Sequence, residues 1–171
     1  MAKAILIDRL NDNIDFEELR KECNGRGIKH VLIYAGGTVT QPYRITFNIK
    51  RYKEMFNEVK KIGLKPRIFI HFDRINHLCS CPHDTLANIA MLRRYSDGSL
   101  FIESDWRKSD NPDKDCVVTT MYLFQALGYK HIIRLTDSKE TITVLGKDTI
   151  VNDCKHLSEV TFSIYDNQAI E

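Results

Sequence analysis

The chain has 171 residues, 43% of them hydrophobic and 28% charged, an ordinary globular composition that fits one domain and excludes a low-complexity or disordered polymer. Twenty-five Lys and Arg against 23 Asp and Glu leave a net charge of +2, too small to mark a nucleic-acid or membrane partner by itself. No run approaches the roughly 20 apolar residues of a membrane helix, and five irregularly spaced cysteines argue against a disulfide framework. The expectation is one soluble intracellular domain over residues 1–171, in cytoplasm or nucleus, with reduced thiols.

Ala4–Asp8 reads as a first strand, followed by a helix capped by Asp15 that turns Phe16, Leu19 and Cys23 to one side. Gly27 then leads into a strand at His30–Tyr34. Ala35-Gly36-Gly37-Thr38 after it lacks the spacing of a dinucleotide fingerprint and the lysine of a P-loop, and reads as a turn, with a small nucleotide-binding domain as the alternative. Ile49, Tyr52, Met55, Phe56, Val59 and Ile62 hold a 3.6-residue period, and Gly63 leads into a strand at Arg67–Phe72. A weaker helix is expected over Asp84–Tyr95 and a strand at Leu100–Glu103.

Asn111-Pro112 supplies an N-cap and a first-turn proline for a helix burying Cys116, Val117, Thr120, Phe124 and Leu127. Gly128 leads into a strand at Ile132–Thr136. Thr141–Val151 reads as a hairpin or strand pair around Gly146, and Val160–Tyr165 as a last strand. Three helix–glycine–strand joints, at Gly27, Gly63 and Gly128, are the signature of an α/β unit. The expected fold is therefore a three-layer α/β/α, Rossmann-like domain with a mostly parallel central sheet.

Parallel strands deliver their C-terminal ends to one edge, where ligands bind. Asp8, Asp73, Glu103, Asp105 and Asp137 stand at such ends, while Asp113 and Asp115 open the Asn111-Pro112 helix. Carboxylates gathered there repel one another unless a divalent cation joins them, although Asp is also a common turn former and helix cap. The charge is uneven along the chain. Arg44–Arg67 is basic and Asp97–Asp115 acidic, a pattern that suits an enzyme holding a metal and a polyanion, or two solvated helix faces.

Ile5-Leu-Ile-Asp8-Arg-Leu-Asn11, Asp113-Lys-Asp115, and Ile132-Ile-Arg-Leu-Thr-Asp137-Ser-Lys-Glu140 together resemble the acidic steps of PIN-like nucleases of the NYN and Regnase type. The resemblance covers acidic positions and strand order, not the whole chain. It implies a metal-dependent ribonuclease acting on single-stranded RNA. Asp8, Asp115 and Asp137 would hold Mg²⁺ or Mn²⁺ with help from Asp113 or Glu140, and Asn11 would orient the first carboxylate or a phosphate. Lys50, Lys53 and Lys60 would contact phosphates and Trp106 would stack on a base. A catalytically inactive Rossmann-like binding or scaffold module is the alternative.

His77, Cys79, Cys81 and His83 alternate along an extended segment and are all zinc-binding types, yet the two-residue spacing of structural zinc sites is absent and Pro82 interrupts the strand. An ordinary reduced loop is the expectation there.

Overall fold

The computed structural model describes residues 2–9, 12–40, 43–72, 83–104, 123–134, 142–144 and 157–162. The first half runs β1 (Ala2–Ile7), α1 (Phe16–Arg26), β2 (His30–Thr40), β3 (Tyr43–Phe47), α2 (Ile49–Lys61) and β4 (Lys65–Phe72). It continues through α3 (His83–Leu92), a 3₁₀ turn (Arg93–Tyr95), β5 (Ser99–Ser104), β6 (His131–Arg134), β7 (Ile142–Val144) and β8 (Leu157–Phe162), with residues 123–126 also helical.

The helix ends follow from local chemistry. Asp15 caps α1 by accepting from the Glu17 and Glu18 amides at 3.1 Å each, satisfying donors that a helix start leaves unpaired. Glu17 and Glu18 in the first turn and Arg26 in the last complement the helix dipole. All three expected glycine joints adopt the left-handed region, with φ of +67° at Gly27, +81° at Gly63 and +99° at Gly128. On α2 the 3.6-residue period buries Tyr52, Met55 and Val59.

The sheet is mixed and mostly parallel, in the order β6-β5-β4-β2-β1-β8-β7, with β3 paired to β2. β1, β2, β4, β5 and β6 run parallel, as the intervening helices require. β8 pairs antiparallel with β1, β7 with β8, and β3 with β2. The turn expected at Ala35–Thr38 is instead strand: β2 continues through it to Thr40. Gly36 pairs with Phe47 of β3 on one side and Ile70 of β4 on the other. The register of β2 against β4 shifts between Tyr34 and Gly36, which marks a bulge. A Cβ on Gly36 would meet the Phe47 ring, and one on Gly37 would overlap the His71 carbonyl oxygen. These glycines serve the close approach of three strands, not a loop.

β1, β2, β4, β5 and β6 advance in one direction, with β8 and β7 antiparallel on the far side of β1, and right-handed crossovers place the described connecting helices on the same face. Ile5, Ile7, Val31, Ile33, Ile68, Ile70, Leu100 and Ile102 form that face. Leu19 and Cys23 of α1, Tyr52 and Val59 of α2, Ile89 and Leu92 of α3, and Phe124 pack onto it. Burial pushes the Cys23 thiol up to about 12, so it remains a protonated core residue. Two buried hydroxyls are satisfied: Tyr52 donates to the Tyr95 carbonyl at 2.9 Å and Tyr129 to the Ile89 carbonyl at 2.6 Å. The reverse face is a second apolar cluster of Ala4, Leu32, Phe69 and Phe101, flanked by Leu6 and Tyr34. Among the described residues no helix contributes to it.

Gly37 has φ of +146° and no room for a methyl group against the β4 backbone, so Gly37→Ala should cost more than about 3 kcal/mol. Gly27 is left-handed but open to solvent, and Gly27→Ala should cost only about 1–2 kcal/mol. Urea unfolding of both variants measures the contrast; equal losses would mean that Gly37 is not held against His71.

Candidate functional site

The C-terminal ends of β1, β4 and β5 lie toward one edge, past which β2 runs on to Thr40 in its hairpin with β3, and the register fixes which residues meet there. Asp8 follows Ile7, which pairs with Ile33, so Asp8 stands level with Tyr34. Gly37 pairs with His71, and His71 with Glu103, one pleat further along. Side chains alternate along a strand, so Asp8 continues the row of Ala4 and Leu6, Tyr34 that of Leu32, and His71 that of Phe69. Asp8, Tyr34 and His71 therefore lie on the face opposite the described helices, each half-buried. Tyr34 leans on Phe69, ring centroids 6.3 Å apart.

This edge is held from the helix side by Arg51. Its side chain is only 10% exposed, and its guanidinium reaches three partners at once. Nε donates to the Asp12 carboxylate at 3.0 Å, Nη1 to the Tyr34 carbonyl at 3.1 Å and Nη2 to the Asp8 carbonyl at 2.6 Å. Arg51 is itself fixed because its amide donates to the Asn48 side chain, the cap of α2, at 3.1 Å. The Asn48 amide donates in turn to the Ala35 carbonyl at 3.0 Å. The first turn of α2 thus takes up carbonyls on both sides of the β2 bulge and the one that carries Asp8.

Sequence reasoning counted Arg51 among the surface cations of the basic flank. A signal was present: no acidic residue occupies the first turn of α2, where an Arg opposes the helix dipole and needs tertiary partners to offset that cost.

Of the expected site residues, Asp8 lies at this edge as foreseen. Asn11, Trp106, Asp113, Asp115, Asp137 and Glu140 lie outside the described residues, as do His77, Cys79 and Cys81. Among the described residues no three His, Cys, Asp or Glu side chains gather as a metal site would require. Lys50, Lys53 and Lys60 line the outer side of α2. Lys50 is exposed, while the Lys53 ammonium sits 5.0 Å from the Tyr95 ring centroid and that of Lys60 5.3 Å from Phe56.

The opposite edge of the sheet carries a second polar group. Arg67 pairs with Asp97 and donates from Nε to His30 Nδ1 at 3.3 Å. Burial of the Asp97 carboxyl raises its pKa, but the Arg67 charge and hydrogen bonds from Ser99 outweigh that and leave it lowered. His30 is also lowered, first by burial and then by the Arg67 and Lys65 charges.

No family model and no curated protein matches this chain. Solved structures do. The spore cortex lytic enzyme SleM of Clostridium perfringens aligns at a TM-score of 0.50 with 10% identity, over 78% of this chain and 43% of that one. The chitinase RmChi1 of Rhizomucor miehei aligns at 0.45 with 10% identity, over 74% of this chain and 43% of that one. The chain thus spans less than half the length of either. At this identity the likeness is one of fold.

It corrects the ribonuclease expectation: the solved structure that this chain resembles in fold is a spore cortex lytic enzyme, not a nuclease. The physical reason is that acids at the ends of parallel strands mark a ligand-binding edge without choosing the ligand; phosphodiester and glycosidic cleavage both use carboxylates there.

Two outcomes follow from the two edges. Arg51→Met strands two carbonyls and breaks the ion pair with the exposed Asp12, and should lower stability by about 2–4 kcal/mol in urea unfolding, with Arg51→Lys recovering less than half. At the other edge, His30 in the folded chain has a pKa below its ordinary 6.5. The unfolded chain then takes up a proton first, so stability is complete above that pH and drains as pH falls through 6.5 toward the folded value. Melting curves from pH 7.5 to 5 should show this loss, and His30→Gln should flatten it.

Proposed function

We propose that this chain is a glycan-cleaving α/β module that hydrolyses glycosidic bonds of a structural polysaccharide, with Asp8 as one of its carboxylates. The observation that carries the reading is the face of the sheet opposite the described helices, where Asp8 and His71 stand near the C-terminal ends of β1 and β4 and Tyr34 lies level with Asp8. Five parallel strands advancing in one direction, with every described helix on one side, are the arrangement of part of a β/α barrel, here flanked beyond β1 by the antiparallel β8 and β7. A three-layer Rossmann-like sandwich instead reverses its strand order and carries helices on both faces. In β/α barrels the chemistry sits at the C-terminal strand ends, on the face turned away from the helices.

Glycoside hydrolysis needs two carboxyl groups flanking the scissile bond. One gives a proton to the leaving oxygen; the other attacks the sugar or activates water. Asp8 supplies the first candidate. Glu103, near the end of β5, is in register with His71, but three strands and so roughly 14 Å from Asp8, beyond the spacing that two flanking carboxyls need. Tyr34 and His71 form the wall between these strands on which a sugar would rest. The Arg51 clamp holds the backbone of Asp8, so the carboxylate is presented from a fixed point.

The test is release of reducing ends from chitin oligosaccharides and from purified spore cortex. Wild-type chain should cleave one of them, and Asp8→Asn should slow it by at least about 100-fold while the melting temperature holds. A wild-type chain that cleaves neither would overturn the proposal, and undiminished cleavage by Asp8→Asn would remove Asp8 from it.

A further inference from the structure

The outer face of α2 carries a feature that catalysis at the strand ends leaves unused. Ile49, Lys53, Phe56 and Lys60 recur at helical spacing along one stripe. Two adjoining cavities open beside it. One, of about 330 Å³, is lined by Ile49, Lys53, Ala90, Met91, Arg94 and Tyr95. The other, of about 450 Å³, includes Phe56, Lys60, Lys65, Arg94 and Asp97 in its lining. Arg94 borders both, so the two form one groove.

The groove repeats a unit. Lys53 stands over Tyr95 and Lys60 over Phe56, and the two rings meet edge to face at 5.7 Å. Seven residues of helix separate the two lysines, about 10 Å along the axis. Charge in the groove is one-sided. Among the described residues none of Lys53, Lys60, Lys65 and Arg94 is paired with a carboxylate, whereas Asp97 is engaged by Arg67. The acids of α2 lie elsewhere: Glu58 pairs with Lys61 at 2.9 Å, and Glu54 is about a quarter-turn away from Lys53. Met91, 51% exposed, extends the apolar floor to the rim.

We infer that this groove binds an acidic polysaccharide, one ring-and-ammonium unit meeting each of two anionic sugars. The inference rests on the glycan reading above and adds a second, non-catalytic site to it. A repeated site matches a repeating polymer whose units each combine apolar C–H surface with a carboxylate. An acidic peptide brings carboxylates without that surface.

The experiment is titration calorimetry of the whole chain with polygalacturonate, with neutral chitin oligosaccharides and single-stranded poly(U) as comparisons. Polygalacturonate should bind, more weakly as salt rises. Lys53→Gln with Arg94→Gln should lower its affinity at least tenfold. Lys50→Gln with Lys61→Gln removes the same charge from outside the groove and should change it less than twofold. Equal losses in the two double variants would reduce the effect to net charge and overturn the inference, as would tighter binding of poly(U) than of polygalacturonate. Asp8→Asn separates the two sites: it should bind polygalacturonate as the wild type does. Cleavage of chitin or cortex without polygalacturonate binding sinks the groove alone. Binding without cleavage supports the groove and sinks the catalytic reading.

Discussion

A guanidinium that is nine-tenths buried has given up most of its hydration, and Arg51 recovers that loss by donating to one carboxylate and two carbonyls whose positions are set by different elements. The end of β1, the bulge of β2, the Asp12 segment and the first turn of α2 are thereby fixed relative to one another. The planar fork matters, because a lysine ammonium in the same place has neither the reach nor the fixed directions to serve all three. The β2 bulge belongs to the same constraint. Where the register shifts between Tyr34 and Gly36, the Tyr34 carbonyl is taken by Arg51 and the Ala35 carbonyl by the Asn48 amide. Polar backbone that a bulge disturbs is thus satisfied by the helix that follows, and the sheet edge stays ordered where a ligand would meet it.

The glycines complete that edge from the other side. Gly36 admits the Phe47 ring and Gly37 admits the His71 backbone, so β2 can hold β3 and β4 closely at once. His71 arrives next to Asp8 and Tyr34 because of this approach. The site is therefore built from backbone compromises as much as from side chains. Its polar groups lie beyond the middle pleats of the sheet, which are apolar on both faces between this site and the Arg67–Asp97–His30 group at the other end.

Much of the architecture was legible from local chemistry. The Asp15 cap, the α2 period and the glycine joints at 27, 63 and 128 depend on a few adjacent residues, and all appear as expected. What was not legible depends on partners distant in the chain. Gly36-Gly37 looks like a turn until β3 and β4 are placed beside it, because nothing local distinguishes a flexible glycine from one that makes room. Arg51 looks like a surface cation until its partners 17, 39 and 43 residues away are known. The direction in which the sheet is wound also escapes the sequence. Helix–strand alternation is common to sandwiches and barrels, and strand order alone tells them apart. That same gap explains how acids at strand ends could suggest a nuclease: their location was readable, but not the shape of the face that they crown.

Helix α2 links the two ends of this reading. Its first turn faces inward and ties down the strand that carries Asp8; its outer stripe presents Lys53, Phe56 and Lys60. One helix 13 residues long spans about 20 Å, so a chain molecule held on its outer stripe lies within a few sugar lengths of the strand ends. Rigid support at the edge and one-sided charge on the flank are then complementary uses of the same element. Charge would gather a polymer to the surface, where avidity rather than tight local binding keeps it near, and the fixed edge would act on whichever bond arrives. Separating the two roles on opposite faces avoids a physical conflict. Unpaired ammonium groups beside the carboxylates of the edge would hold those carboxylates ionised, and a proton donor for glycoside cleavage must retain its proton until the bond breaks.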